Sequence, residues 1–147
     1  MSEITEAQQL RLELVTEKHA QAFELLKETG IDCWLTFSRE GSDLLLPFVI
    51  GGEYLVGIAA LMLFADRTSA AVVADYDVSQ VDGAFDAIHG YSLDWREPFL
   101  TTLREKNPAR IAINYSESDH GIDGLTHGMM LKLRQALATI GFEDRLI

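Results

Sequence analysis

The sequence is poor in cysteine and in cationic side chains. It has one cysteine, Cys33, in 147 residues, and 12 Lys+Arg against 23 Asp+Glu, which gives a formal net charge of −11. A single cysteine excludes a disulfide framework within the chain. The acidic excess argues against binding to nucleic acid or to an anionic membrane, because both require clustered Lys and Arg. Cys33 lies in an apolar run, so we predict a buried thiol there.

The sequence also lacks a long uninterrupted apolar run. Residues 44–65 are nearly all apolar, but one proline, three glycines and Glu53 interrupt them. The longest uncharged piece, residues 54–65, is 12 residues long, whereas a spanning helix needs about 20. We therefore expect a turn and a core strand rather than a membrane helix. Residues 1–6 are acidic and show no apolar signal segment, so we expect a cytoplasmic protein.

Motifs for common active sites are missing. The sequence has no glycine-rich phosphate loop and no Gly-x-Ser-x-Gly. The best metal-like spacing is His120, Asp123 and His127, whose intervals of 3 and 4 would suit zinc. His120 and Asp123 could equally cap the helix that follows, and capping is our interpretation. We predict no metal site in this chain, and a small metal enzyme built on these residues stays as an alternative.

Apolar periodicity predicts an α/β domain. The spacing predicts helices over residues 5–29, 77–87, 95–107 and 124–140, with a short helical turn within 43–50. It predicts strands over residues 31–37, 54–64, 70–74, 89–93 and 110–115, the second and third forming a hairpin. Helices interspersed with strands indicate a mixed β-sheet with helices on both faces. Neither a repeat nor a linker is visible, so residues 1–147 are predicted to form a single domain.

The order and spacing of several segments resemble a known family. The segments lie at 28–32 (Glu-Thr-Gly-Ile-Asp), 33–37, 38–40, 72–75 (Val-Val-Ala-Asp) and 111–116 (Ile-Ala-Ile-Asn-Tyr-Ser). Together, over roughly residues 10–147, they resemble the N-terminal domain of the creatinase, prolidase and aminopeptidase P peptidases. The match departs from the family at 45–51 and at Tyr76-Asp77, where many members have Tyr-Leu-Thr-Gly-Phe and Arg-Tyr respectively.

The resemblance implies a ribonuclease H-like α/β fold and a role without catalysis. Family members continue into a catalytic domain that binds two divalent metal ions, expected here as Mn, Co or Zn, and that domain is absent from this sequence. The expected partners are that catalytic domain, a second copy in a homodimer and, in the full-length enzyme, a proline-containing peptide. The domain would contribute to dimerisation and shape substrate access. No cofactor is expected in this chain itself.

A charged loop after the first predicted strand is where the resemblance would place substrate contacts. Residues 38–43 carry three charges directly after an apolar strand, and loops at strand ends often carry function in α/β folds. Carried over by position, Arg39, Glu40, Asp43 and Glu53 are predicted to face the active-site cleft and steer the charged ends of the substrate. The alternatives are a solvated connection and, for the whole chain, a stand-alone α/β module that binds a small ligand or a protein partner.

Overall fold

The sheet of this domain has five strands in the order β4-β3-β2-β1-β5. In the computed structural model, which describes residues 4–147, the strands are β1 (Cys33–Ser38), β2 (Ala59–Phe64), β3 (Ser69–Ala74), β4 (Ala87–Tyr91) and β5 (Ile111–Ile113). The helices are α1 (Glu6–Thr29), α2 (Leu46–Val49), α3 (Arg96–Lys106) and α4 (His127–Ala138). Short 3-10 turns cover Asp75–Gln80 and Glu143–Arg145.

One strand runs against the other four. β2 pairs antiparallel with both β1 and β3, whereas β1 pairs parallel with β5 and β3 pairs parallel with β4. The carboxyl ends of β1, β3, β4 and β5 therefore lie at one end of the sheet, which we call the carboxyl end. The connections 39–58, 75–86, 92–95 and 114–126 all begin or end there.

Helices cover both faces of the sheet. On one face, α3 and α4 bury an aromatic cluster in which Phe37 lies 5.0 Å from Trp95 and 6.1 Å from Phe99, measured between ring centroids. On the other face, α1 and α2 cover the remaining side chains of β2 and β3. β2 and β3 are buried along their whole length, so the mixed α/β architecture predicted from the sequence is confirmed. No helix among residues 4–147 is both long and apolar enough to cross a bilayer.

Most predicted elements are present within a few residues of their expected bounds. α1 ends where Gly30 adopts a left-handed conformation (φ 70°), and Thr5 caps its first turn through a reciprocal bond with Gln8. The β2–β3 hairpin and the helix ending before Pro108 are also confirmed. The Cys33 thiol is fully buried, and this burial raises its pKa. The thiol is therefore protonated and unreactive at neutral pH.

Two predictions are wrong: the start of the second strand and the helix over 77–87. The strand expected from residue 54 begins only at Ala59, because the N–H groups of Val56 and Gly57 donate to the Asp77 carboxylate at 3.1 and 2.8 Å. The helix expected over 77–87 is a 3-10 turn followed by irregular backbone, in which Gly83 has a φ of 80°. A buried carboxylate thus replaces strand pairing for the N–H groups of residues 56 and 57.

The buried imidazole of His19 joins α1 to α2. Its Nε2 donates to the backbone oxygen of Val49 at 2.8 Å, and its ring lies against Phe85 with 5.2 Å between centroids. His19 is therefore a core side chain whose ring N–H is satisfied. Burial lowers the pKa of His19 below its ordinary value of 6.5.

This burial predicts a pH-dependent stability. The unfolded chain binds a proton on His19 near its ordinary pKa, whereas the folded chain resists protonation, so the free energy of unfolding falls as the pH drops below about 6.5. In His19→Gln the amide can still donate to Val49 but cannot titrate. We expect urea unfolding to show a smaller loss of stability between about pH 8 and about pH 5.5 in this variant. His89→Gln removes an exposed imidazole and should keep the wild-type loss; equal losses in all three proteins would contradict the prediction.

Candidate functional site

A buried polar network lies at the carboxyl end of β1 and β5. Asn114, directly after β5, accepts from Trp34 Nε1 at 2.6 Å through its Oδ1. Its Nδ2 donates to Thr36 Oγ1 at 3.1 Å and to Asp43 Oδ2 at 2.8 Å. Thr36, Asp43 and Asn114 are each at most 7 % exposed. One amide side chain therefore joins both parallel strands to the loop that follows β1.

The Asp43 carboxylate is held from several directions. Its Oδ1 accepts from the N–H of Leu45 at 2.9 Å, which shapes the turn into α2. Gly124 lies so close to this carboxylate that a Cβ at that position would collide with it. The Leu125 N–H donates to the backbone oxygen of Asn114 at 2.8 Å, which closes the 114–126 loop. Because Gly124 contacts the Asp43 carboxylate, this loop packs directly against the 38–43 loop.

The four residues predicted to face a cleft have different environments. Arg39 and Glu40 are exposed on the 38–43 loop, whereas Asp43 in the same loop is buried beneath them. The N–H of Glu40 donates to Val56 at 3.2 Å, which brings the loop against the segment that follows Glu53. Glu53 itself is exposed and forms an ion pair with Arg11 of α1 at 2.7 Å. The structure thus groups Arg39, Glu40 and Asp43, and sets Glu53 toward α1.

Exposed apolar side chains occur in the same loops. Six of them lie in 39–58 and in the loop after β5: Leu44, Phe48, Tyr54, Val56, Tyr115 and Ile122. Gly41 adopts a left-handed φ of 66°, and a Cβ there would collide with the Tyr54 ring. This part of the carboxyl end therefore presents apolar and charged side chains together, a composition typical of interaction surfaces.

The half-buried Tyr91 and the buried Asp77 make a second set of polar contacts at the carboxyl end. The Tyr91 hydroxyl donates to the backbone oxygen of Ile58 at 2.5 Å. Burial raises the pKa of Tyr91 to about 12, and the neighbouring Tyr76 and Asp77 act in the same direction. The phenol therefore stays protonated and acts as a fixed donor. Together with the bonds from Asp77 to residues 56 and 57, it attaches the strand-entry segment to the sheet.

Of the residues with metal-like spacing, Asp123 has another role. Asp123 Oδ1 accepts from the N–H of Ser116 at 3.2 Å. The helix cap is Thr126, whose hydroxyl accepts from Met129, so the expectation that His120 and Asp123 cap this helix is wrong. The helix begins at His127 rather than at residue 124, because Gly124 and Leu125 are held by the contacts to residues 43 and 114. Within residues 4–147, no group of three or more His, Cys, Asp or Glu side chains could hold a metal ion.

Sequence reasoning missed Asn114 and the anchoring role of Asp77. Asn114 ends an alternating strand, Arg-Ile-Ala-Ile-Asn. An amide side chain at the end of a buried strand is the one sequence feature that could have pointed to its role. Its partners lie 71 to 80 residues away in the chain. Their pairing was therefore not visible in local patterns.

No known protein-family model and no curated protein matches the chain. Several solved structures, in contrast, match the chain. The chain is similar to X-Pro aminopeptidase from Thermotoga maritima, with TM-score 0.62 and 14 % identity over 88 % of this chain and 32 % of that one. It is also similar to the creatinase/prolidase N-terminal domain of an X-Pro dipeptidase from Streptococcus pyogenes, with TM-score 0.60 and 17 % identity over 82 % and 87 % of the two chains.

A third similar structure is the N-terminal domain of Xaa-Pro dipeptidase from Lactobacillus brevis, with TM-score 0.56 and 14 % identity over 83 % and 86 % of the two chains. The chain therefore has the fold of creatinase/prolidase N-terminal domains, as its sequence resemblance predicted. It spans about a third of the Thermotoga maritima enzyme and most of the two isolated domains. At these identities the similarity defines the fold.

The network predicts a large cost for removing the Asn114 amide. In Asn114→Ala the Asp43 carboxylate, the Thr36 hydroxyl and the Trp34 indole N–H each lose a partner while partly or wholly buried. We expect the free energy of unfolding to fall by about 2–4 kcal/mol in a urea titration. Asp123→Ala removes an exposed acceptor from the same loop and should cost less than about 1 kcal/mol. Equal costs for the two variants would show that the network adds little.

Proposed function

We propose that this chain is the non-catalytic N-terminal domain of an Xaa-Pro dipeptidase or aminopeptidase-like metallopeptidase of the cytoplasm. The observation that carries the proposal is the similarity to two isolated N-terminal domains of Xaa-Pro dipeptidases over more than four fifths of each chain. In this proposal the catalytic domain follows residue 147 and supplies a pair of divalent metal ions. Hydrolysis of proline-containing peptides takes place there.

The proposed contribution of this domain to the active site is to restrict and steer the substrate. Arg39 and Glu40 are exposed on a loop whose base is held by the buried bond between Asp43 and Asn114. Their charges are thus presented from a defined position, which is what steering of a peptide's charged ends requires. Glu53, oriented by Arg11, extends the charged surface toward α1. Asp43 acts from beneath the loop, as the residue that fixes its shape.

The proposed role in dimerisation is supported by the exposed apolar side chains of the same end. Leu44, just before α2, is 64 % exposed and Phe48, within α2, is 45 % exposed, although Leu46 and Val49 of this helix are buried. Apolar side chains next to charged ones at the end of a sheet are suited to contact with the catalytic domain and with a second subunit.

The first test is the intact mass of the endogenous protein, captured with an antibody raised against this chain. We expect a species much heavier than the 16.4 kDa of this chain, because the catalytic domain would be part of the same polypeptide. A species of 16.4 kDa would contradict the proposal. It would instead favour a stand-alone α/β module that binds a small ligand or a protein partner.

The second test addresses the charged loop in the full-length enzyme. We expect Arg39→Glu to lower kcat/KM for Xaa-Pro peptides by about tenfold, mainly through KM, because the reversed charge would repel the substrate's carboxylate. Arg104→Glu makes the same charge change at the far end of α3 and should leave kcat/KM unaltered. Unchanged KM and kcat/KM in Arg39→Glu for several peptides would rule out the steering role.

A further inference from the structure

The outer edge of β4 has no partner strand. β4 is the last strand of the sheet and pairs only with β3. At the opposite edge, residues 146 and 147 run beside β5, and the Ile147 N–H donates to the backbone oxygen of Ile111 at 2.9 Å. Within residues 4–147, no backbone group of β4 makes a hydrogen bond outside its pairing with β3. The two edges of the sheet therefore differ.

The register identifies the free backbone groups. The Phe64 N–H donates to Thr68 across the β2–β3 turn, so by alternation Ser69, Ala71 and Val73 point their backbone groups toward β4. The Ser69 N–H indeed donates to the Asp86 carboxylate just before β4, at 2.8 Å.

Ala71 lies opposite Ile88. In a parallel ladder it then bonds residues 87 and 89 of β4, which leaves the N–H and C=O groups of Ile88 and Gly90 pointing outward.

This edge carries none of the usual protection against pairing. Natural edge strands are blocked by lysine, proline or a bulge, and β4 reads Ala-Ile-His-Gly-Tyr with continuous pairing to β3. Leu93, two residues beyond β4, is 96 % exposed. The edge is thus open to a further strand and has an apolar side chain beside it.

A groove beside this edge has an acidic rim. The groove holds about 660 Å³ between β4 and α3, and His89, Leu93, Thr101 and the carboxylates of Glu97 and Glu105 line it. Asp94 at its mouth is paired with Arg96 at 3.2 Å, whereas Glu97 and Glu105 are exposed and make no ion pair among the described residues.

The two free carboxylates are spaced to match a strand. Glu97 and Glu105 are eight residues apart on α3, which corresponds to about 12 Å at about 1.5 Å per residue. Side chains four residues apart on one face of a strand are separated by about 13 Å. An extended segment on the edge of β4 could therefore place one cationic side chain at each carboxylate.

We propose that the outer edge of β4 binds an extended segment of a partner protein that carries basic residues four positions apart. Backbone pairing with Ile88 and Gly90 would provide affinity, and the carboxylates of Glu97 and Glu105 would select the basic residues. A second copy of this chain is a poorer occupant. Each copy has a net charge of −11, and pairing of two β4 edges would bring the same α3 carboxylates alongside each other.

The test uses the whole chain and a probe peptide, acetyl-Val-Lys-Val-Thr-Val-Lys-Val-amide, with amide hydrogen exchange followed by NMR. We expect the Ile88 and Gly90 amides to exchange rapidly in the free protein and at least about tenfold more slowly with the peptide. The His89 amide, already bonded to β3, should not change. The same peptide with glutamate in place of both lysines should not bind.

A matched pair of double variants distinguishes the effect of the groove carboxylates on peptide binding from the effect of net charge. Glu97→Lys with Glu105→Lys should weaken peptide binding by about tenfold. Glu17→Lys with Glu28→Lys makes the same charge change on the exposed side of α1 and should leave binding unchanged. All four positions are exposed, and slow exchange of the buried β2 amides verifies that each variant is folded.

Three results would overturn the proposal. The first is peptide binding that leaves Ile88 and Gly90 unprotected. The second is equal binding of the glutamate peptide, or equal weakening by both double variants. The third is protection of these amides in the free protein together with dimerisation in sedimentation, which would identify a second copy as the occupant.

Discussion

The hydrogen bonds of the Asn114 side chain hold together the part of the molecule on which its proposed role depends. β1 and β5 are neighbours in space although residues 39–110 lie between them in the chain, and β5 is only three residues long. Strand pairing over so short a length contributes little orientation by itself. Asn114 adds bonds to Trp34 and Thr36 on β1 and to Asp43 beyond it. Because these groups are largely buried, the bonds cannot be exchanged for water at low cost.

The reversed direction of β2 determines what this network supports. With β2 antiparallel and the other four strands parallel, four connections meet at the carboxyl end, while the β2–β3 hairpin turn lies at the other end. The 39–58 connection enters β2 from the carboxyl end, and its last residues lie outside the β1–β2 pairing. Asp77 and Tyr91 fix these last residues through the backbone of residues 56–58. The loops that carry Arg39, Glu40 and Glu53 are thus attached at both sides.

The fold could be predicted from the sequence wherever a single apolar periodicity, that of a helix or that of a strand, dominated a segment. α1, α3 and the hairpin carry clear helical or apolar patterns with glycine, asparagine or proline at their ends, and they lie where the patterns indicate. The failure at 54–58 has a different cause. The apolar residues of 54–58 read as strand, but a carboxylate 20 residues away in sequence takes their N–H groups. The spacing of apolar residues within a segment carries no information about a hydrogen bond to a residue so far away in the chain.

The candidate site was predictable only in part for the same reason. The charge of the 38–43 loop identifies it as a surface feature, yet charge alone does not separate Arg39, which faces solvent, from Asp43, which is buried four residues later. What separates them is the amide of Asn114, which lies 71 residues from Asp43 in the chain. A loop carboxylate is buried when a donor from a distant part of the chain forms a hydrogen bond with it, and it stays in solvent when there is no such donor. The division of the loop into an exposed charged part and a buried anchoring part therefore follows from the sheet order that brings β5 beside β1.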